Sequence, residues 1–274
     1  KMWLPLPDIR GLISMTRITD AFKKQGKIFI PFITAGDPDL ETAEKLIYAM
    51  EEAGAGLIEI GIPFSDPTAE GPVILEADTR ALAAGTKIRG IFEMLARVRR
   101  KTQIPMVFLT YVNPIFTYGR EKFFQQCQEV KMDGVIVPDV PYEEKDTLAP
   151  YAEKYGVEII SMIAPTSHQR IQSIAREAQG YIYLVSSLGV TGVRKQITTN
   201  LAEIVKKIRE VSDHPIAVGF GISTPEQAKE MAGISDGAIV GSAIVKLCAK
   251  YGKACVEPVR EYVKKMADAV AEAK

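Results

Sequence analysis

The sequence predicts a single (β/α)8 barrel with one extra helix before the first strand. Three observations carry this. Eight short apolar runs recur along the chain, each followed by a turn and an amphipathic helical stretch. The runs are too uniformly apolar for strands that face water on one side, which suits a parallel sheet covered by helices. Eight such alternations in 274 residues match a closed barrel of about 250 residues.

The strands are expected at 28–34, 57–61, 106–111, 134–139, 158–164, 181–186, 216–219 and 237–241. The helices are expected near 40–53, 73–100, 120–130, 143–155, 168–178, 197–211, 225–232 and 257–272. A helix near 18–25 precedes the first strand and is placed to close the bottom of the barrel. A doubly wound open sheet is the alternative, and it calls for a Gly-rich fingerprint opening the first helix. Here that turn reads Thr34-Ala35-Gly36-Asp37-Pro38-Asp39, which is not GxGxxG. No Pro/Ser-rich linker divides the chain, so 15–274 is read as one domain. Residues 1–14 are apolar and contain prolines but lack a compact h-region followed by a small-residue cleavage site. Met15 leads straight into a helical pattern, which leaves 1–14 as an extension, an alternative start or a cloning scar.

Composition narrows the function classes. Lys+Arg is 34 and Asp+Glu is 34, so the formal net charge is zero. That argues against a nucleic-acid binder, which needs a cationic face to displace counterions. No apolar run reaches the roughly 18 residues of a membrane span. Cys127, Cys248 and Cys255 lack metal-ligand spacing and read as buried or neutral thiols in a reducing cytoplasm. With His168 and His214 as the two histidines, a transition-metal site is not expected.

Barrel geometry places chemistry at the C-terminal ends of the strands. Side chains alternate along Leu57-Ile58-Glu59-Ile60-Gly61, so with Ile58 and Ile60 against the helices Glu59 points inward near the mouth. A buried carboxylate is costly unless paired. Glu59 is therefore either a structural partner of an Arg or Lys, or a carboxyl tuned by its surroundings to move protons. The loop that follows carries two more acids, Asp66 and Glu70, among three prolines. Taken alone, each reads as a turn former or a capping residue; beside Glu59 a second acid at the site becomes plausible.

A second signal lies in the last three loops. Gly189-Val190-Thr191-Gly192 follows strand six, Gly219-Phe220-Gly221 ends strand seven and Gly241-Ser242 ends strand eight. Glycines at adjacent strand ends serve tight turns, or let backbone N–H groups approach an anion beside a helix N-terminus. No Lys or Arg stands among them, so backbone dipoles would do the binding. No lysine lies at a strand's mouth end either, which disfavours a Schiff-base mechanism. Tyr183 reads equally well as a packed barrel aromatic or as a site residue.

The stretch from Glu59 through Pro72, Glu59-Ile60-Gly61-Ile62-Pro63-Phe64-Ser65-Asp66-Pro67-Thr68-Ala69-Glu70-Gly71-Pro72, resembles the signature of the tryptophan synthase α chains. The resemblance runs from about Met15 to the C-terminus. It includes Pro31-Phe32-Ile33-Thr34-Ala35-Gly36-Asp37-Pro38, Tyr111-Val112-Asn113-Pro114, Pro138-Asp139-Val140-Pro141 and Ser186-Ser187-Leu188-Gly189-Val190-Thr191-Gly192. It implies retro-aldol cleavage of indole-3-glycerol phosphate to indole and glyceraldehyde 3-phosphate. It implies a cytoplasmic α2β2 complex whose β subunit holds pyridoxal phosphate, with no cofactor in this chain.

The family's principal catalytic glutamate falls on Glu59. Its second carboxylate, normally Asp, falls on Glu70, a departure that keeps the charge and adds one methylene. Its active-site tyrosine falls on Tyr183. The indole pocket falls on Phe32, with Leu109 and Phe220, and the phosphate positions fall on Gly192, Gly221, Gly241 and Ser242. Thr191 matches a residue of the mobile sixth loop, with Asp66 as its expected partner on closure. Many members carry a basic residue where Ser187 stands. Three other readings use the same barrel: a stand-alone lyase releasing free indole, a non-catalytic activating subunit, and another phosphate-binding isomerase or synthase. The buried acid argues against the second, and the specificity of the second-strand motif against the third.

Overall fold

A computed structural model describes residues 15–186 and 194–274. Nine strand segments form one wholly parallel sheet in the order β5-β4-β3-β2-β1-β9-β8-β7-β6. They are β1 (Ile28–Thr34), β2 (Ile58–Gly61), β3 (Met106–Leu109), β4 (Gly134–Ile136), β5 (Glu158–Ile159), β6 (Ser161–Ile163), β7 (Ile182–Val185), β8 (Ile216–Gly219) and β9 (Gly237–Val240). The two end segments of that order are halves of one barrel strand. Glu158 and Ile159 pair with β4, and the Ile160 amide still donates to Val135 at 3.0 Å. Ser161 to Ile163 then pair with β7. One strand serving both neighbours closes the sheet into the eight-stranded barrel that the sequence predicts.

Alternation along the strands sorts side chains into two layers. Ile28, Ile30, Leu57, Val107, Ile136, Ile160, Tyr181, Tyr183, Ala217 and Ile239 pack together inside the barrel. Phe29, Ile58, Ile60, Phe108, Ile182, Leu184 and Val218 face outward into the larger core beneath the helices. The expected bottom helix is present as α1 (Arg17–Gln25). Thr16 caps it, and its buried Ile18 and Phe22 plug the barrel floor, with the Phe22 ring 6.0 Å from Tyr181.

The helical layer departs from the sequence reading in three places. The stretch expected as one helix over 73–100 is two, α3 (Pro72–Ala83) and α4 (Ile88–Arg99), where α2 (Leu40–Glu52) lies before them. The break is at Gly85, whose φ of 82° is left-handed and ends α3. The turn it makes presents Thr86 to Gly36. A Cβ on Gly36 would lie 2.0 Å from Thr86 Oγ1, so the first loop needs glycine there. A short helix over Val112–Tyr118, α5, precedes α6 (Arg120–Glu129). The Asp139 carboxylate accepts from its first amide, Val112, at 3.0 Å. The cover over β5 and β6 is thin: α7 (Ala149–Tyr155) and α8 (Ile171–Arg176) are each preceded by a 3-10 turn. The remaining helices are α9 (Arg194–Arg209), α10 (Pro225–Ile234), α11 (Ser242–Tyr251) and α12 (Val256–Ala271).

Candidate active site

Glu59 sits inside the barrel as its strand position predicts, 1% exposed, in register with Phe32 on β1 and Val107 on β3. The partner that a structural role would require, an Arg or Lys, is not what meets it. The Tyr181 hydroxyl donates to Glu59 Oε1 at 2.6 Å. Burial pushes the Glu59 carboxyl up to about 8, and the Tyr181 hydrogen bond pulls against that shift. Tyr181 is itself fully buried and its hydroxyl is pushed well up, so it remains a donor across the physiological range.

Two residues nearer the mouth on the same face, Tyr183 lies with its hydroxyl over Gly219. A Cβ there would be 2.3 Å from Tyr183 Oη, so glycine at the end of β8 makes room for the ring. Phe220 follows with a positive φ of 74°, and its exposed ring meets Tyr183 edge-on at 6.2 Å. Phe32 lies between the ends of β2 and β9. A Cβ on Gly61 would be 2.6 Å from it and one on Gly241 3.1 Å. Phe32 packs on Ile74, Ala77 and Val245, with half-buried Leu109 alongside. Three aromatic rings and a leucine thus gather at the strand ends around the acid.

The phosphate-type features stand on the last two strand ends. Gly221 has a φ of 72°, so Phe220 and Gly221 turn the chain through two successive left-handed residues. Gly241 is the N-cap of α11 and gives it no side-chain cap. The Ile244 amide donates to the Gly241 carbonyl at 2.9 Å, which leaves the Ser242 and Ala243 amides of the first turn without a side-chain cap, in the way a helix N-terminus favours an anion. Gly192 and Thr191 lie outside the described residues, as does Ser187. Asp66 is exposed in the second loop and takes the Ser65 hydroxyl.

Glu70 is half-buried, and its Oε2 is shielded with no hydrogen-bond donor among the described residues. The groups beside it are Asp78 and Tyr111, and burial pushes its carboxyl up. Sequence reasoning missed Tyr181, Asp78 and Tyr111. Two of them had a signal: Tyr181 is two residues from Tyr183 and so shares its face. Asp78 interrupts the buried Ile74, Ala77, Ala81 stripe of α3.

Comparison with known proteins shows the family. The sequence profile of the family described as "Tryptophan synthase alpha chain" matches residues 18–271. The tryptophan synthase alpha chain of Lacticaseibacillus casei is 47% identical over 256 residues, 93% of this chain and 96% of that protein. That of Lactiplantibacillus plantarum is 49% identical over 253 residues, 92% and 95% of the two chains. The crystal structure of tryptophan synthase subunit alpha from Legionella pneumophila superposes with a TM-score of 0.85 at 34% identity, covering 94% of this chain and 99% of that one. A chain of the tryptophan synthase α2β2 complex from Pyrococcus furiosus superposes with a TM-score of 0.80 at 34% identity, covering 87% and 97%. The chain belongs to the tryptophan synthase alpha chain family, the lyases that cleave indole-3-glycerol phosphate to indole and glyceraldehyde 3-phosphate in tryptophan biosynthesis.

Proposed function

We propose that Glu59 performs the proton transfers of this cleavage, that Glu70 meets the indole N–H, and that the product indole passes to a β subunit. The single observation that carries the reading is a carboxyl enclosed in the barrel with no cation beside it among the described residues, pushed up to about 8. Such a group keeps its proton at neutral pH and can give it to indole C3. Protonation there turns the ring into an electron sink. As the C–C bond breaks and its electron pair returns to the ring, the glycerol hydroxyl loses its proton to the Glu59 carboxylate. The acid is thereby restored and no net proton is consumed.

The second acid serves the charge that appears on the ring. C3 protonation leaves the indole nitrogen cationic, and a carboxylate accepting its N–H lowers the energy of that state. Phe32, Leu109, Tyr183 and Phe220 supply a flat apolar slot for the bicycle. Gly221, Gly241, Ser242 and the open first turn of α11 suit the phosphate, with Gly192 completing the set. Asp66 and Thr191 are assigned to loop closure and signalling to the partner. The α2β2 assembly of the Pyrococcus furiosus relative supports a β subunit as that partner. Pyridoxal phosphate belongs to the β subunit in this reading.

Glu59→Gln should lower indole release from indole-3-glycerol phosphate by ~10²–10⁴-fold, the usual worth of a positioned acid–base group, while far-UV circular dichroism stays unchanged. A folded Glu59→Gln protein with wild-type turnover would overturn the assignment. Assays with and without β subunit test the partner, which should raise turnover.

A further inference from the structure

The second acid of the site is one of a pair. Asp78 lies on α3, 3% exposed, on the same stripe as Ile74, Ala77 and Ala81. The Phe64 amide donates to its Oδ2 at 3.4 Å. Glu70 stands beside it with an oxygen that is closed to solvent and receives no donor among the described residues.

Among the described residues the surroundings offer this pair no cation. From the end of β3, Tyr111 presents its hydroxyl, which accepts the Ala69 amide at 3.1 Å. From the first loop comes a further acid, Asp37, and Arg80 of α3 is committed to it through two bonds of 2.8 Å. Beyond them Cys248 of α11 faces Asp37 and Arg80, and Asp139 faces Tyr111. Two adjacent carboxyls without a free counterion do not both ionise; they hold one proton between them. That proton and the Tyr111 hydroxyl are the two donors turned toward Glu70.

We propose that Asp78 is a positioning residue for the cleavage: it shares one proton with Glu70 and draws this longer side chain back against α3, leaving the other Glu70 oxygen to accept the indole N–H. The inference rests on the reading of Glu70 given above. The pair carries a single negative charge, which faces the cationic ring nitrogen during C3 protonation. The shared proton stays between the two acids throughout, so Asp78 exchanges nothing with the substrate. Burial and the neighbouring Glu70 push Asp78 up to about 8, which sets where that proton is lost.

The test is indole release by the full chain, with its β subunit, for Asp78→Ala, Asp78→Asn, Glu70→Gln and Glu70→Gln/Asp78→Ala, with unfolding measured for each. Asp78→Ala should lower kcat about tenfold with little change in KM, the worth of one charged hydrogen bond. Asp78→Asn supplies a permanent N–H donor and should restore kcat to within about threefold of wild type. In the Glu70→Gln background, Asp78→Ala should cost nothing further, because Asp78 acts through Glu70. Above pH 8 the wild type loses the protons of both Glu59 and the pair, so log(kcat/KM) should fall with a slope of about two, against about one in Asp78→Asn.

Equal losses from Asp78→Ala in both backgrounds, or identical slopes in wild type and Asp78→Asn, would overturn the role of Asp78 alone. Undiminished cleavage by Glu70→Gln would remove the reading of Glu70 and this inference with it. If Asp78→Ala does not fold, the slopes of wild type and Asp78→Asn decide the matter.

Discussion

The barrel floor and the barrel interior hold two buried acids, Asp133 and Glu59, in opposite ways. At the bottom, Asp133 precedes β4 and meets two guanidiniums, Arg17 at 2.6 Å and Arg99 at 3.3 Å, and also takes the Met106 amide at 2.9 Å. Arg99 also donates to the carbonyls of Val130, Thr102, Ile104 and Lys131. Inside the barrel, Glu59 has a tyrosine hydroxyl and, among the described residues, no cation, and at the rim Glu70 and Asp78 have each other. A buried charge with matched partners holds the fold together, and removing one partner is costly. A buried acid without a cation works against the folded state as pH rises and keeps its proton available for chemistry. The same residue type thus reports stability at Asp133 and reactivity at Glu59.

The sharpest way to break this contrast is to remove each acid and measure stability. Asp133→Ala takes the carboxylate from two arginines and the acceptor from the Met106 amide at the floor. It should cost about 3–5 kcal/mol in urea unfolding while the remaining folded protein cleaves substrate at the wild-type rate. A loss below about 1 kcal/mol would dissolve the difference between the two acids.

Glu59→Gln should act in the opposite direction. The folded carboxyl holds its proton up to about 8, whereas the ordinary value is 4.5. Between those values the folded state binds the extra proton, so wild-type stability declines as pH rises through that window. The glutamine variant lacks this decline. It should exceed the wild type by roughly 4 kcal/mol at pH 8.5, with the gap closing toward pH 5. Parallel stability curves would mean that Glu59 is not held protonated.

Tyr181→Phe removes the donor that favours the ionised Glu59, so the carboxyl should titrate about one pH unit higher, read as an upward move of the alkaline limb of kcat/KM. Gly241→Ala has the smallest effect. Its Cβ would sit 3.1 Å from Phe32, which must give by a few tenths of an ångström, and KM should rise by no more than about threefold. A change confined to kcat would place Phe32 outside the indole slot.

Much of this was legible in the sequence. The inward position of Glu59 follows from period-two alternation with Ile58 and Ile60 outside, and the bottom plug from Ile18 and Phe22 one turn apart. The ring closure was not legible as a split strand, because the switch from β4 to β7 at Ile160 depends on hydrogen-bond partners far along the chain. The break between α3 and α4 depends on Gly85, a residue tolerated inside helical patterns, and on Thr86 meeting Gly36 from another loop. Asp78 escaped notice because an acid on a helix reads as solvated unless the burial of its own face is weighed. Its neighbour Glu70 lies eight residues away, across a loop whose course the prolines stiffen without announcing its direction.

The most direct test of the central claim is the titration of one carboxyl. In protein labelled with 13C at glutamate side-chain carboxyls, the resonance missing from Glu59→Gln identifies Glu59. It should titrate with a midpoint near 8 in the wild type and higher in Tyr181→Phe. A midpoint at the ordinary 4.5 would mean that the barrel interior carries a carboxylate at neutral pH, with no proton to give.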